Sequence, residues 1–420
     1  MLADRFSNFY LRSGIFGVLS LIGALFNYAL YPVLARLLNT GDFGDFTAIL
    51  ALSNQILAIL LAFNVISIYL VKHNNEQTAR KKAQVIQKLL VWFFIGATLL
   101  VAILSPFIRS HLKIHDPMAF VLLALILIIA VPTVVWTGYL QGHRRLVQVG
   151  LYAFSAALFK FILAIVLGSS FGTVGALWGV LLGTLAALLV LQLCAGIKLP
   201  SLGSVLSPLK KDEKIILKTL VFYVSASILV VGGLGFLQNI DITFAKGLFD
   251  SQTAGVYSGI SILSNAVYYV AFLLIWIILP EIDLRNKTVN RRVLGTAYKL
   301  LGLLAAGALI IEVVFRNVIT KKLLGAAFAN QGQILIYATL FQISLVAVTL
   351  YALYLLILRS LRSLILSLSV ILCCVVLPWL FGDTPRHMIL SLWLAVLLGS
   401  GLYLFINSLH RLTRQSKLKS

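Results

Sequence analysis

Twelve long apolar runs, parted by short polar stretches, make up nearly all of this chain. They fall at 14–36, 45–71, 89–108, 118–140, 147–167 and 173–194, and then at 219–244, 254–280, 297–315, 333–357, 363–381 and 388–408. A helix needs about 20 mostly apolar residues to cross a bilayer. Within lipid the backbone must satisfy its own hydrogen bonds, so runs of this length are helical. The pattern predicts an all-α polytopic membrane protein with about twelve transmembrane helices. The first run is too long for a signal-peptide core and reads as a retained span. The turns GHRRL and GSSFGT are short, which makes spans four, five and six antiparallel neighbours.

Composition agrees. Only 11% of the 420 residues are charged and 60% are hydrophobic, whereas a soluble protein carries roughly 25% charged residues. A net charge of +21 raises a nucleic-acid reading, but the cations form no basic domain and no nucleic-acid partner is expected. They sort by loop instead. With the N-terminus inside, 25 of the 34 Lys and Arg residues lie on the cytoplasmic side, 8 lie outside and Lys160 is left within a span. The positive-inside rule then puts both termini in the cytoplasm. Cys194, Cys373 and Cys374 sit in or at the end of apolar runs, with neither disulfide nor metal spacing.

The longest polar connection follows six spans. It divides the chain into an N-terminal six-helix lobe at 1–196, a cytoplasmic linker at 197–218 and a C-terminal six-helix lobe at 219–420 ending in a short basic tail. The lobes are self-similar. ARLLNTGDFGDFTAILALSN, starting at Ala35, aligns with AKGLFDSQTAGVYSGISILSN, starting at Ala245. Arg36 matches Lys246, Gly44 matches Gly255, Phe46 matches Tyr257 and Asn54 matches Asn265. An even number of spans per repeat gives two parallel six-helix repeats, an arrangement that transporters use.

Three stretches, YPVLARLLNTGDFGDFTAI, GYLQGHRRLVQVG and DITFAKGLFDSQTAGVYSGISIL, resemble the polysaccharide-transporter branch of the multidrug/oligosaccharidyl-lipid/polysaccharide flippase superfamily. The resemblance implies a MATE-like V-shaped architecture, with a cavity lined by spans one, two, seven and eight. It implies translocation of undecaprenyl-pyrophosphate-linked oligosaccharides for surface polysaccharide synthesis, such as O-antigen, by alternating access. The setting it implies is a bacterial or archaeal cytoplasmic membrane. The implied partners are the lipid-linked saccharide, the bilayer and other polysaccharide-assembly membrane proteins. A multidrug or cation-coupled exporter of the same superfamily is the alternative.

Such a flippase breaks no bond and needs no cofactor, though a proton or sodium ion as coupling ion stays open. Polar groups within spans are costly and face a cavity or another helix. On this basis the candidate substrate contacts are Asn27 of span one, Asn54 of span two, Asn239 and Asp241 of span seven and Asn265 of span eight. Each amide has helix–helix bonding as its other reading. Lys160, in the outer half of span five, meets phosphate, pairs with Asp241 or snorkels to the interface. Arg36 and Lys246, at the outer ends of spans one and seven, either attract the emerging head group or anchor the interface. Arg12, just before span one on the cytoplasmic side, either meets the head group there or belongs to the positive-inside pattern. Gly44 and Gly255 are expected to open their spans after tight turns, and Pro32 to bend span one. A membrane enzyme acting on the same lipids is disfavoured, because the longest outer loop, 316–332, carries no acid or histidine. No nucleotide-binding G-x-x-x-x-G-K-[ST] loop is present.

Overall fold

The computed structural model describes residues 2–73, 76–114, 116–143, 145–195, 203, 207, 226, 228–278, 282, 286–358 and 360–417; side chains at 2–13, at 409–417 and at some positions within helices lie outside the description. Helices and turns account for the described residues, with no strand among them. Among the described residues, nine helices are long and apolar enough to cross a membrane, or ten with one bent pair taken as a single span. The chain is a multi-pass membrane protein. It forms two compact units, Met1–Val224 and Ser225–Ser420.

The first unit contains α1 (Leu2–Leu37), α2 (Thr40–His73), α3 (Glu76–Leu112), α4 (Met118–Gly142) and α5 (Leu146–Ala195). As a straight rod the 50 residues of α5 would extend about 75 Å, more than twice the roughly 30 Å hydrocarbon core. The helix breaks instead at Phe171 and Gly172, where Gly172 has φ 60° and ψ −143°, a left-handed conformation that glycine adopts without Cβ strain. The arms then fold back on each other. Gly175, Gly179 and Gly183 of the second arm face the main chain of Leu167, Ala164 and Lys160 in turn, so close that a Cβ at any of them would overlap it. These descending partners define an antiparallel hairpin, and its arms are the expected spans five and six.

α1 runs parallel to the first arm of α5. Phe16 meets Gly150, Gly23 meets Ala153 and Phe154, and Leu34 meets Gly168. α2 lies along α4, where Asn64 Nδ2 donates to Val134 O at 3.1 Å and to Thr137 Oγ1 at 3.3 Å. The α1–α2 turn is tied locally. Asn39 Oδ1 accepts from Asp42 N at 2.8 Å, and Thr173 Oγ1, just past the α5 break, donates to Asp42 O at 2.9 Å. Most of the 197–218 linker lies outside the described residues, but Ser207 Oγ accepts from Lys88 Nζ of α3 at 3.0 Å.

The second unit contains α6 (Ile228–Leu237), α7 (Ile240–Leu248), α8 (Ser251–Ile278), α9 (Lys287–Leu324), α10 (Gly332–Ile357), α11 (Arg362–Phe381) and α12 (Pro385–Lys417). Its packing follows the first unit's plan. α8 lies along α10 as α2 does along α4, and α11 lies along α12 as the two arms of α5 do. α6 touches α11 at Gly233 and Ile371, as α1 touches the first arm of α5.

Three details differ from the apolar pattern. Span seven is broken: α6 and α7 meet at 49° across Gln238 and Asn239. Helices α2 and α8 start at Thr40 and Ser251, so Gly44 and Gly255 lie inside helices and do not open them. The reason is capping. Asp250 Oδ1 accepts from Gln252 N and Thr253 N at 3.0 Å each, which satisfies N–H groups that a helix start leaves free and carries the helix into polar residues. Finally, α1 is helical from Leu2 to Leu37 and continues through Pro32.

Candidate functional site

Breaking a helix inside a membrane frees carbonyl and N–H groups that lipid cannot satisfy. The second unit meets this with buried polar side chains. Gln342 of α10, fully buried, donates Nε2 to Gln238 O at 3.0 Å. Asn239, which heads α7, accepts on Oδ1 from Asn265 Nδ2 of α8 at 3.1 Å. Asp241 lies in the first turn of α7, where an anion meets the positive end of the helix dipole. Its Oδ2 accepts from Tyr257 OH at 2.9 Å and from Ser261 Oγ, both on α8. Asn239 and Asn265 are each 4% exposed and Asp241 is not exposed at all. Asn239 Nδ2, Asn265 Oδ1 and Gln342 Oε1 have no hydrogen-bond partner among the described residues. The break is thus surrounded by amide and hydroxyl groups, with spare bonding capacity left in the centre.

Lys246 belongs to the same unit and is fully buried, with Nζ 3.4 Å from Ser251 Oγ. It sits in the last turn of α7, where a cation complements the carbonyl end of the helix. The outer-end position expected of it is therefore internal to the α7–α8 corner and not displayed.

The first unit treats its polar residues differently. Lys160 is 14 residues into α5, about 21 Å from its start and about 16 Å before the break. That is within about 3 Å of the middle of the first arm, the level at which an unpaired charge costs most. The side chain is half-buried, with no ion pair or hydrogen bond among the described residues. The parallel register of α1 and α5, from Gly23 beside Phe154 to Leu34 beside Gly168, puts Asn27 at the level of Lys160. Asn27 is half-buried and its Oδ1 has no partner among the described residues. Phe26, its neighbour in the chain, packs 5.3 Å from Phe161 between ring centroids.

Asn54 is half-buried in α2, and Arg36 is exposed in the last turn of α1. Arg12 falls within α1, but its side chain lies outside the described residues. The structure therefore brings Asn239, Asp241, Lys246 and Asn265 into one buried corner and sets Asn27 level with Lys160 in the other unit. Besides Asp45, which heads the 45–71 run and is 5% exposed in α2, one in-span acid goes unmarked in the apolar pattern. Glu312 of α9, 7% exposed, accepts from Thr339 Oγ1 of α10 at 2.8 Å; the signal for it was an acid inside the 297–315 run. No group of three or more His, Cys, Asp and Glu residues that could hold a metal occurs among the described residues.

No family model and no curated protein matches the sequence. Solved structures do match. The lipid II flippase MurJ, in an inward closed conformation, aligns with a TM-score of 0.65 at 14% identity over 95% of this chain and 87% of its own. An inward-facing multidrug resistance MATE transporter of the MOP superfamily gives 0.64 at 15%, over 94% and 95%. A MOP-superfamily transporter from Pyrococcus furiosus with a binding pocket of reverse polarity gives 0.53 at 15%, over 97% and 96%. The alignments run through both six-span sets, and with the helix order and hairpin packing described above they establish that this chain has the fold of the MOP-superfamily transporters.

Proposed function

We propose that the chain translocates lipid-linked oligosaccharide, carried on a polyprenyl pyrophosphate, across a bacterial or archaeal cytoplasmic membrane by alternating access. Both termini are cytoplasmic in this reading, and the lobes are 1–196 and 219–420 with the linker between. The observation that carries it is the sign of the available in-span charge. Lys160 lies near the middle of the first arm of α5 without a carboxylate partner among the described residues, whereas Asp241 and Glu312 are bonded to hydroxyls of their own unit. A desolvated ammonium without a counter-ion favours an anionic cargo, and pyrophosphate supplies one. Asn27 at the same level would serve the polar head, with Asn54, Arg36 and Arg12 further along its route. Asn239, Asp241, Lys246 and Asn265 contribute by shaping the broken span. Among structural neighbours, MurJ is a lipid II flippase, a function of the same chemical type.

The second reading is a multidrug or cation-coupled exporter, supported by a nearly equal likeness to a multidrug resistance MATE transporter. One experiment separates them. Reconstituted protein is assayed for leaflet exchange of a pyrophosphate-linked saccharide and, in parallel, for dye efflux. Loss of one charge-assisted contact is worth roughly 1.5–3 kcal/mol, so Lys160→Gln should slow exchange by about 10- to 100-fold while Lys160→Arg keeps most of it. Dye efflux without saccharide exchange, or exchange indifferent to Lys160→Gln, would sink the proposal.

A further inference from the structure

All three outward connections of the second unit, α7–α8, α9–α10 and α11–α12, end beside one cavity of about 190 Å³. Gln252 and Thr253 line it from the first turn of α8, Ala327 and Gln331 from the α9–α10 connection and Pro385 from the start of α12. Tyr257 closes its floor, with its hydroxyl directed to Asp241. No lining residue is ionised at neutral pH, in a chain whose net charge is +21. The helix start beside it offers little to an anion, since the N–H groups of Gln252 and Thr253 are already held by the Asp250 carboxylate. The neighbouring cation is turned aside as well, because the Arg386 guanidinium lies over the Tyr337 ring at 5.6 Å.

What remains is a set of neutral groups that both donate and accept. Each glutamine amide offers two N–H donors and a carbonyl, and the threonine offers a hydroxyl. Around them lie the apolar faces of Val256, Ile334 and Pro385. One wall is held by packing. Phe328, 1% exposed, packs against the α8 backbone at Gly259 and pins the α9–α10 connection between Ala327 and Gln331. Its volume is below the roughly 300–1,000 Å³ of drug-sized ligand sites, so it fits one sugar ring and not a chain of them.

We propose that this cavity is a binding site for a single neutral sugar residue on the outer face, with Gln252, Gln331 and Thr253 bonding its hydroxyls and Pro385 lying against its C–H face. Its placement on the outer face rests on the orientation proposed above; its ligand chemistry does not. The sugar is either free or the head of a lipid-linked saccharide.

The test uses the full chain in lipid nanodiscs, with saturation-transfer NMR to N-acetylglucosamine and, in a second arm, to a lipid-linked saccharide carried in the disc. Saturation transfer that Ala327→Trp abolishes, and that Gln331→Ala weakens about tenfold in Kd, supports the site; if only the lipid-linked arm shows it, the source is the lipid head group. Ala327 is exposed, so its replacement leaves the core alone, and an unchanged thermal midpoint verifies folding. No transfer in either arm, transfer unchanged in Ala327→Trp, or displacement by inorganic pyrophosphate overturns the proposal. Binding without leaflet exchange leaves the site standing and defeats the flippase reading, and exchange without binding does the reverse.

Discussion

Alanine at Gly179 tests how the helix carrying Lys160 is held. The second arm of α5 presents Gly175, Gly179 and Gly183 to the first arm at four-residue spacing, so all three lie on one face. Small residues so placed let helix backbones approach closely in a membrane. A Cβ at Gly179 would stand 2.2 Å from Ala164 N and 2.3 Å from Ala164 Cα. Both are main-chain atoms, so no rotamer change relieves the overlap. Ordinary contact begins at 3.4 Å, and the arms must part by about 1.2 Å to reach it. At Gly183 the contact is Lys160 N at 2.5 Å, and the same subtraction gives about 0.9 Å. Overpacking usually costs 1–3 kcal/mol, and a main-chain clash belongs at about 3 kcal/mol. Gly302 of α9 is the control, because a Cβ there has nothing within 4 Å and alanine gains about 0.5–1 kcal/mol of helix stability. The two variants should differ by roughly 3–4 kcal/mol in a reversible denaturant titration in one detergent. The double variant Gly179→Ala/Gly183→Ala should cost less than the sum of the singles, by about 1 kcal/mol or more, because arms already parted accept the second methyl. Equal stability of Gly179→Ala and Gly302→Ala, or strict additivity, refutes the close-packed hairpin.

Gln342→Leu should destabilise the second unit by about 1–3 kcal/mol, because it strips the carbonyl of Gln238 of its partner within the membrane; a thermal midpoint equal to that of the wild type would count against the network. Asp250→Ala removes the α8 cap, a loss of ~1 kcal/mol at neutral pH. Hydrogen bonds from Thr253, hydroxyl first and then backbone N–H, hold the Asp250 carboxyl below its usual range near 3.8. A depressed carboxylate stabilises above its unfolded pKa and loses that contribution as pH falls through the folded one. The difference between Asp250→Ala and wild type should therefore be constant from neutral pH down to about 4 and vanish only in stronger acid. A difference already lost at pH 6 contradicts the cap.

The spans were legible because lipid imposes one requirement, about 20 apolar residues with closed hydrogen bonds, and this chain meets it repeatedly. The α5 turn was legible for a similar reason, since GSSFGT interrupts an apolar run too long for one crossing. Helix starts were not, because polar first turns such as those after Asn39 and Asp250 look like loop to any measure of hydrophobicity. The break in span seven was hidden because no proline marks it. Its trace was Gln238-Asn239-Ile240-Asp241, polar residues too closely spaced to be a single-faced stripe. In the sequence Lys246 marks the outer end of span seven, because a lysine is almost never fully buried, and only three dimensions reveal Ser251 beside it. The face of a helix on which Asn27 or Lys160 lies depends on the α1–α5 register, which no pattern along a single helix contains.

The repeat carries the last prediction, since it conserves geometry and changes chemistry. Aligned from Ala35 and Ala245, Tyr31 corresponds to Asp241 and Phe46 to Tyr257. In the first unit the matched pair is an aromatic contact, with Tyr31 and Phe46 centroids 6.5 Å apart. In the second it is the Tyr257–Asp241 hydrogen bond, on a carboxylate with no exposed surface. A buried anion with one of its donors removed is costly, so Tyr257→Phe should destabilise by about 1.5–3 kcal/mol. Asp241→Asn removes the charge that the donors serve, and should leave membrane insertion intact while impairing leaflet exchange. Once Asp241 is Asn, the Tyr257 hydroxyl faces a neutral amide, and deleting it should matter less. The double-mutant cycle should therefore show a coupling of at least about 1 kcal/mol between the two positions. No such coupling is expected for Tyr31→Phe with Phe46→Leu, where packing alone joins the pair. If Asp241→Asn and Tyr257→Phe prove additive, with exchange unimpaired, the carboxylate has no part in holding the broken span. The corner would then be packed as the first unit is, without reliance on its charge.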